Sequence, residues 1–297
     1  MSDMTQKVGR IRRITESIIT LPTLPTVVSK MIQLVDNPKT SAGSLARLIS
    51  SDQAMTARML KTANSAYYGF SREISTVDMA IVVMGFDAVK EIGLSLSVLE
   101  MFRNAGPDTP FDVTRFWEHS VGCAVASRML ARRYRRDVAG EAFVAGLLHD
   151  IGKLILSQYA TRDFTNIMEL VAHDEATLDE AEQTVLGAGH PEVGGWLAEK
   201  WRLPRKIVEG IRRHHAVDEA RADPALTAVV SLGNYLCHRG NVGASGRKHV
   251  VPPGSEVWAA LQEENIEVDE QSLDEFETDF LLAFDQAETF ISLIHEE

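Results

Sequence analysis

The chain has 297 residues, 45% of them hydrophobic and 24% charged, which is enough apolar surface for one large core or two smaller ones. Its formal net charge of −12 argues against nonspecific DNA or RNA binding, which needs a Lys/Arg surplus to neutralise phosphates. The two cysteines, Cys123 and Cys237, imply no disulfide framework, residues 1–13 lack the apolar stretch of a signal peptide, and no apolar run approaches the about 18 residues of a membrane span. A cytoplasmic protein without nucleic-acid or membrane partners is expected.

Apolar residues recur at three- and four-residue spacing almost throughout, and alternating strand-like runs are scarce, so the predicted fold class is all-α. Val28, Met31, Ile32 and Val35 mark the first helical face, which ends near Asn37-Pro38. Leu45, Leu48 and Ile49 mark a second, with Ser41 or Ser44 placed to cap its start. Met55, Met59, Leu60 and Ala63 form the stripe of a third helix over 53–66, and two more are predicted over 76–84 and 88–102. The aromatics after Asn64-Ser65-Ala66, Tyr67 and Tyr68, read as a helix end closing onto the core. Asn104, Gly106, Pro107, Asp108 and Pro110 are turn formers, and they end an N-terminal helical subdomain spanning 1–105.

A second segment, 106–240, carries predicted helices over 111–134, 141–159, 176–186, 191–201, 204–215 and 226–237. The run Arg128, Arg132, Arg133, Arg135 and Arg136 is the best candidate for a local basic patch, and its plainer reading is a solvated helix end. Residues 241–297 begin as a linker (241–246 and 251–254) and finish in an acidic helix whose stripe is Phe276, Phe280, Leu281, Phe284, Phe290 and Ile291.

The chemistry concentrates in the second segment. His119, the pair His149-Asp150, His190 and the pair His214-His215 follow one another in order. Imidazoles with a carboxylate are the preferred ligands of divalent transition metals. Neighbouring side chains on a helix point roughly 100° apart, so His149-Asp150 can serve two ions, with the carboxylate bridging. Lys153, one turn beyond Asp150, is positioned to meet a phosphate oxygen. Each residue also has a purely structural reading. His119 can be a half-buried helix histidine, His190 can cap a helix whose first residue is Pro191, and His214 and His215 suit the negative end of a helix dipole. The ordered set points instead to one clustered site. Cys123, four residues after His119, reads as a small buried hydrophobe.

The series His119, His149-Asp150 with Gly152-Lys153, His190 and His214-His215 resembles the HD superfamily of metal-dependent phosphohydrolases, particularly its HD-GYP pattern. Upstream, Leu21-Pro22-Thr23-Leu24-Pro25, the stretch from Leu45 through Asp52 to Met59-Leu60-Lys61, Asn64-Ser65-Ala66-Tyr67-Tyr68-Gly69 and Ile74-Ser75-Thr76-Val77 resemble the N-terminal part of HDOD domains. The resemblance extends from Leu21 to Asn234 and implies a multi-helix HD-like bundle behind an N-terminal helical subdomain. It assigns His119, His149 and Asp150 to one metal and Asp150, His190, His214 and His215 to another, with Lys153 on phosphate. One or two divalent ions (Fe, Mn, Zn or Ni) would be the cofactor.

Three departures qualify that assignment. Asn234 stands where the family places its last aspartate ligand, and a neutral amide binds transition metals poorly; Asp218 or Asp223 would have to compensate. The Gly-Tyr-Pro signature is missing, since His215 is followed by Ala216-Val217-Asp218-Glu219-Ala220. Arg115, one turn before His119, opposes a further metal. The expected function is therefore that of an HDOD regulator in bacterial signal transduction. It would act by binding a signalling protein, with a nucleotide as a further ligand, around a degenerate or structural metal site. The alternative is a metal-dependent phosphohydrolase of nucleotides or cyclic nucleotides, with Lys153 and Asp150 in catalysis.

Overall fold

The computed structural model describes residues 23–35, 37, 39–102, 110, 112–173, 176–244, 246, 249–287 and 292. Leu21, Pro22, Pro38, the turn formers from Asn104 to Asp108, Phe111, Phe290 and Ile291 lie outside the described residues. The described residues are all-α, with no strand among them. No helix among them is long and apolar enough to cross a membrane. They fall into two compact units, one of residues 23–102 together with 281–287 and 292, and one of residues 110–280.

The N-terminal unit holds α1 (Thr26–Val35), α2 (Ala42–Ser50), α3 (Gln53–Ala63), α4 (Val77–Met84) and α5 (Phe86–Phe102). Ser41, not Ser44, is the cap of α2, and Asp52 and Thr76 cap α3 and α4 through the amides of Met55 and Met79. Of the predicted stripes Val28, Met31, Ile32, Leu45, Ile49, Met55, Met59 and Ala63 are buried, a large apolar side chain among them contributing about 2 kcal/mol, while Val35, Leu48 and Leu60 are half-buried. Asn64 ties the irregular connection to α3 by accepting from the Ile74 amide (2.7 Å) and donating to the Ile74 and Leu60 carbonyls.

The C-terminal unit is built on α6 (Val113–Tyr134), which packs against α7 (Ala139–Leu148) and α13 (Pro224–Arg239). Small residues permit the close approach: a Cβ on Gly146 would stand 2.8 Å from the Cys123 carbonyl oxygen, and one on Gly233 3.1 Å from the same atom. The unit also holds α8 (Ile151–Tyr159), α9 (Thr161–Ala172), α10 (Leu178–Val185), α11 (His190–Lys200), α12 (Arg205–Arg212), α14 (Ser255–Glu263) and, as far as Phe280, α15 (Glu270–Gln286). α9 and α14 have no counterpart among the predicted elements. The basic run is not all wet surface. Arg128 is buried with its guanidinium over the Phe143 ring, and Arg135 pairs with Asp137, Asp223 and Glu264.

Two predicted helices are shorter or broken. The helix expected over 141–159 is interrupted at His149-Asp150, where Asp150 has φ −99° and ψ 3°. The one expected over 204–215 stops at Arg212. Apolar spacing continues on both sides of the first break, so periodicity alone does not register it.

α8 meets α11 almost backbone to backbone at Gly152, where an added Cβ would stand 2.8 Å from the His190 carbonyl carbon and 2.9 Å from the Gly194 nitrogen. Both obstacles are main chain and cannot rotate away. Gly152→Ala is expected to cost on the order of 3 kcal/mol, read as a lowered urea midpoint; a loss within experimental error would contradict this packing.

Candidate metal centre

Five helix ends or faces deliver side chains to one point inside the C-terminal unit. His119 projects from the middle of α6, His149 and Asp150 from the α7–α8 turn, and His190 from the first position of α11. His214 and His215 come from the turn after α12, and Asn234 from α13. His119, His149, Asp150, Lys153, His190 and His214 are all at most 2% exposed. His215 is half-buried, its ring 3.8 Å from that of His214 and 5.4 Å from that of His190.

The helix breaks aim these groups. On an unbroken helix His149 and Asp150 would diverge; here His149 Nε2 comes within 3.3 Å of Asp150 Oδ2. His149 Nδ1 donates to the Gly146 carbonyl at 2.7 Å, and His214 Nδ1 does the same to the Ile211 carbonyl, also at 2.7 Å. His190 Nδ1 donates to the buried Glu182 carboxylate at 2.8 Å, and the same carboxylate accepts from the His190 amide at 2.9 Å. With each Nδ1 proton engaged in this way, the lone pair is left at Nε2, the outer arrangement that metal-binding histidines use.

His149 Nε2, His190 Nε2, His214 Nε2 and Asp150 Oδ1 have no hydrogen-bond partner among the described residues. His190 and His214 place Nε2 3.1 and 3.9 Å from Asp150 Oδ1. Unpartnered buried atoms are costly, and these four are nitrogen and oxygen donors converging on one space. The residues fit a divalent cation. Among the described residues donor atoms gather in three sets: His119 with His149 and Asp150, His190 with His214 and His215, and His190 with Asp179 and Glu182. The first set is the one the family resemblance assigns to one metal; the second is the other metal's set without its shared Asp150.

The electrostatics follow the geometry. Burial opposes charge on Asp150, but His149 and Lys153 hold its carboxyl well below the usual range. Burial works against protonation of His149 too; Asp150, with Cys123, outweighs it and pushes the ring up to about 10. His190 is likewise raised against its burial by Glu182. His119 and His214 are held well below the ordinary imidazole value, chiefly by burial and then by His149. Imidazoles must be neutral at the ligating nitrogen, so metal uptake here releases protons.

Lys153 Nζ donates to Asp150 Oδ2 at 2.7 Å and is 2% exposed, so its ammonium serves the carboxylate inside the cluster. Asn234 Oδ1 lies 3.0 Å from His119 Nε2, whose Nδ1 faces the Val242 carbonyl at 3.3 Å. Asp223 does not compensate for Asn234: it caps α13 and pairs with Arg135. A cavity of about 260 Å³ lies beside His214, His215 and Asn234, with Asp179, Tyr235, His238, Pro252 and Pro253 also lining it. Neither lysine nor arginine is among the described residues that line it.

Sequence reasoning missed Glu182 and His238. Glu182 was detectable, because it sits on the apolar stripe of Leu178, Ala181 and Val185, where a carboxylate needs a buried partner. His238, its ring 4.7 Å from that of His119, lies one turn after Asn234 and gave no comparable signal.

This architecture has known relatives. Residues 21–217 match the HDOD domain, and the chain belongs to the HDOD family. A crystal structure of an HDOD domain protein with unknown function from Geobacter sulfurreducens is 25% identical, with TM-score 0.80 over 93% of this chain and 97% of that one. A candidate phosphohydrolase from Shewanella amazonensis SB2B (21% identical, TM-score 0.72, 95% and 98% covered) shares the fold. So does a candidate signal transduction protein from Marinobacter aquaeolei VT8 (20% identical, TM-score 0.77, 98% and 66% covered). An uncharacterized protein of Treponema pallidum (strain Nichols) is 22% identical over 232 residues, which is 77% of this chain and 44% of that protein. The chain thus spans less than half the length of that curated relative.

Glu182→Gln keeps the size of the side chain but removes the charge that orients His190. Metal affinity is expected to fall by about 10- to 100-fold, measured by competition with a chromophoric chelator; an unchanged affinity would show that the Glu182 charge does not tune His190 as a ligand.

Proposed function

We propose that this protein is a regulatory HDOD domain of bacterial signal transduction that works in the cytoplasm by binding a protein partner, with its metal centre serving structure. One observation carries the reading: the groups a phosphohydrolase would turn toward substrate are consumed internally. Lys153 is bonded to Asp150 at 2.7 Å, and the cavity beside the cluster is lined by Asp179 and Glu256 with no lysine or arginine among the described lining residues. A phosphate entering there would meet carboxylates before any cation. A metal held by Asp150, His190 and His214 would join α8, α11 and the turn after α12, so its binding free energy would add to folding. The signal transduction name of the Marinobacter aquaeolei relative agrees with this role.

A second reading, a metal-dependent phosphohydrolase of nucleotides or cyclic nucleotides, is favoured by the cavity of about 260 Å³ against His214 and His215, and by the name of the Shewanella amazonensis relative. In that case a metal would supply Lewis acidity and an activated water. A nucleotide held there without turnover would instead be a regulatory ligand.

The two readings separate on Asp150→Ala. Saturating Mn²⁺ or Zn²⁺ at 100 times Kd is expected to stabilise the native protein by about 2.7 kcal/mol, seen as a raised melting temperature that the variant loses. Hydrolysis of nucleotides and cyclic dinucleotides by the metal-loaded protein is expected to equal the variant's background. Turnover that vanishes in Asp150→Ala would establish the hydrolase instead.

A further inference from the structure

The two oxygens of Asp150 have different fates. Oδ2 accepts from Lys153 at 2.7 Å, and Oδ1 has no hydrogen-bond partner among the described residues. Unpartnered Nε2 atoms of His190 and His214 lie 3.1 and 3.9 Å from Oδ1, each ring held from behind by Glu182 or the Ile211 carbonyl. The Oδ2 side is organised otherwise. His119 Nε2 is engaged by Asn234 at 3.0 Å, and either orientation of the amide uses the ring nitrogen that a metal would need. Of the donors on that side, His149 Nε2 alone is without a partner.

We propose that this centre is built for one metal ion, held by Asp150 Oδ1, His190, His214 and His215, and that Lys153 and Asn234 fill the neighbouring position with hydrogen bonds. The inference rests on the metal reading above and fixes how many ions the site takes and where. A second ion at the Oδ2 side would have to displace a buried ammonium and turn an amide away from His119, leaving both groups without their partners in the interior. Asp179 and Glu182 lie close enough to His190 to share an ion with it, so the carboxylates beyond Asp150 also stand on the Oδ1 side of the cluster.

The test is calorimetric titration of chelator-stripped full-length protein with Mn²⁺ and with Zn²⁺. The wild type is expected to take one equivalent. His119→Ala is expected to keep it, and His190→Ala to weaken it by about 100-fold or more. Because His190 is buried, the half-buried His215→Ala provides a second variant, expected to weaken the same equivalent in a protein whose circular dichroism spectrum is unchanged. Asn234→Asp is expected to admit a second equivalent. Two equivalents of similar affinity in the wild type, or a site lost in His119→Ala and kept in both His190→Ala and His215→Ala, would overturn the inference while leaving the metal reading intact. An Asn234→Asp protein that still takes one ion would overturn the role given to Asn234. No uptake by the wild type would remove the metal reading and this inference together.

Discussion

A polar atom left without a partner in a protein interior costs about 1–3 kcal/mol, and the C-terminal unit gathers four within one cluster: His149 Nε2, Asp150 Oδ1, His190 Nε2 and His214 Nε2. Much of the local architecture follows from holding them there. α7 ends at Leu148 and α12 at Arg212 so that the histidines just beyond can bond the carbonyl three residues back, at 2.7 Å in both cases, and turn the opposite nitrogen inward. Gly152 removes the side chain that would keep α8 from the start of α11. Glu182 accepts burial because it meets two donors of one residue, the His190 amide and ring. These features jointly set up positions that only a further group can satisfy.

Much of this was legible in the sequence, and the rest was not, for physical reasons. Three- and four-residue spacing reports which face of a helix is buried, so Met31, Met59, Phe143, Ile155 and Phe276 fall inside as their stripes require. Spacing does not report where a backbone turns within an apolar run. Phe143, Leu147, Ile151, Leu154 and Ile155 read as one stripe, yet the chain breaks in the middle of it at Asp150. The histidines were visible as an ordered set, and Asn234 stood out against the family pattern before its contact with His119 was known. Glu182 is less conspicuous than a histidine because glutamate is common on helix surfaces, yet on the buried stripe of α10 it is the same kind of anomaly. Arg128 was misread because five arginines in sequence suggest a wet surface, while helical spacing turns the first of them over Phe143.

Lys153 shows how one residue type changes meaning with its neighbours. Read from the sequence, an ammonium one turn after Asp150, on the same helical face, is positioned to meet a phosphate oxygen. In the folded chain it is 2% exposed and donates to the carboxylate it was expected to assist. The pairing is self-consistent: the ammonium helps hold Asp150 ionised against its burial, and an ionised Asp150 is the anion that makes a buried ammonium tolerable. To reach a substrate, Lys153 would have to leave a buried carboxylate with one partner fewer, a cost that binding would need to offset. The same logic applies across the cluster, where Asn234 meets His119 and Glu182 meets His190. A site whose charges are already matched in pairs resists rearrangement. The donors left without partners among the described residues, Asp150 Oδ1 and the Nε2 atoms of His149, His190 and His214, are therefore held in place before any further group arrives.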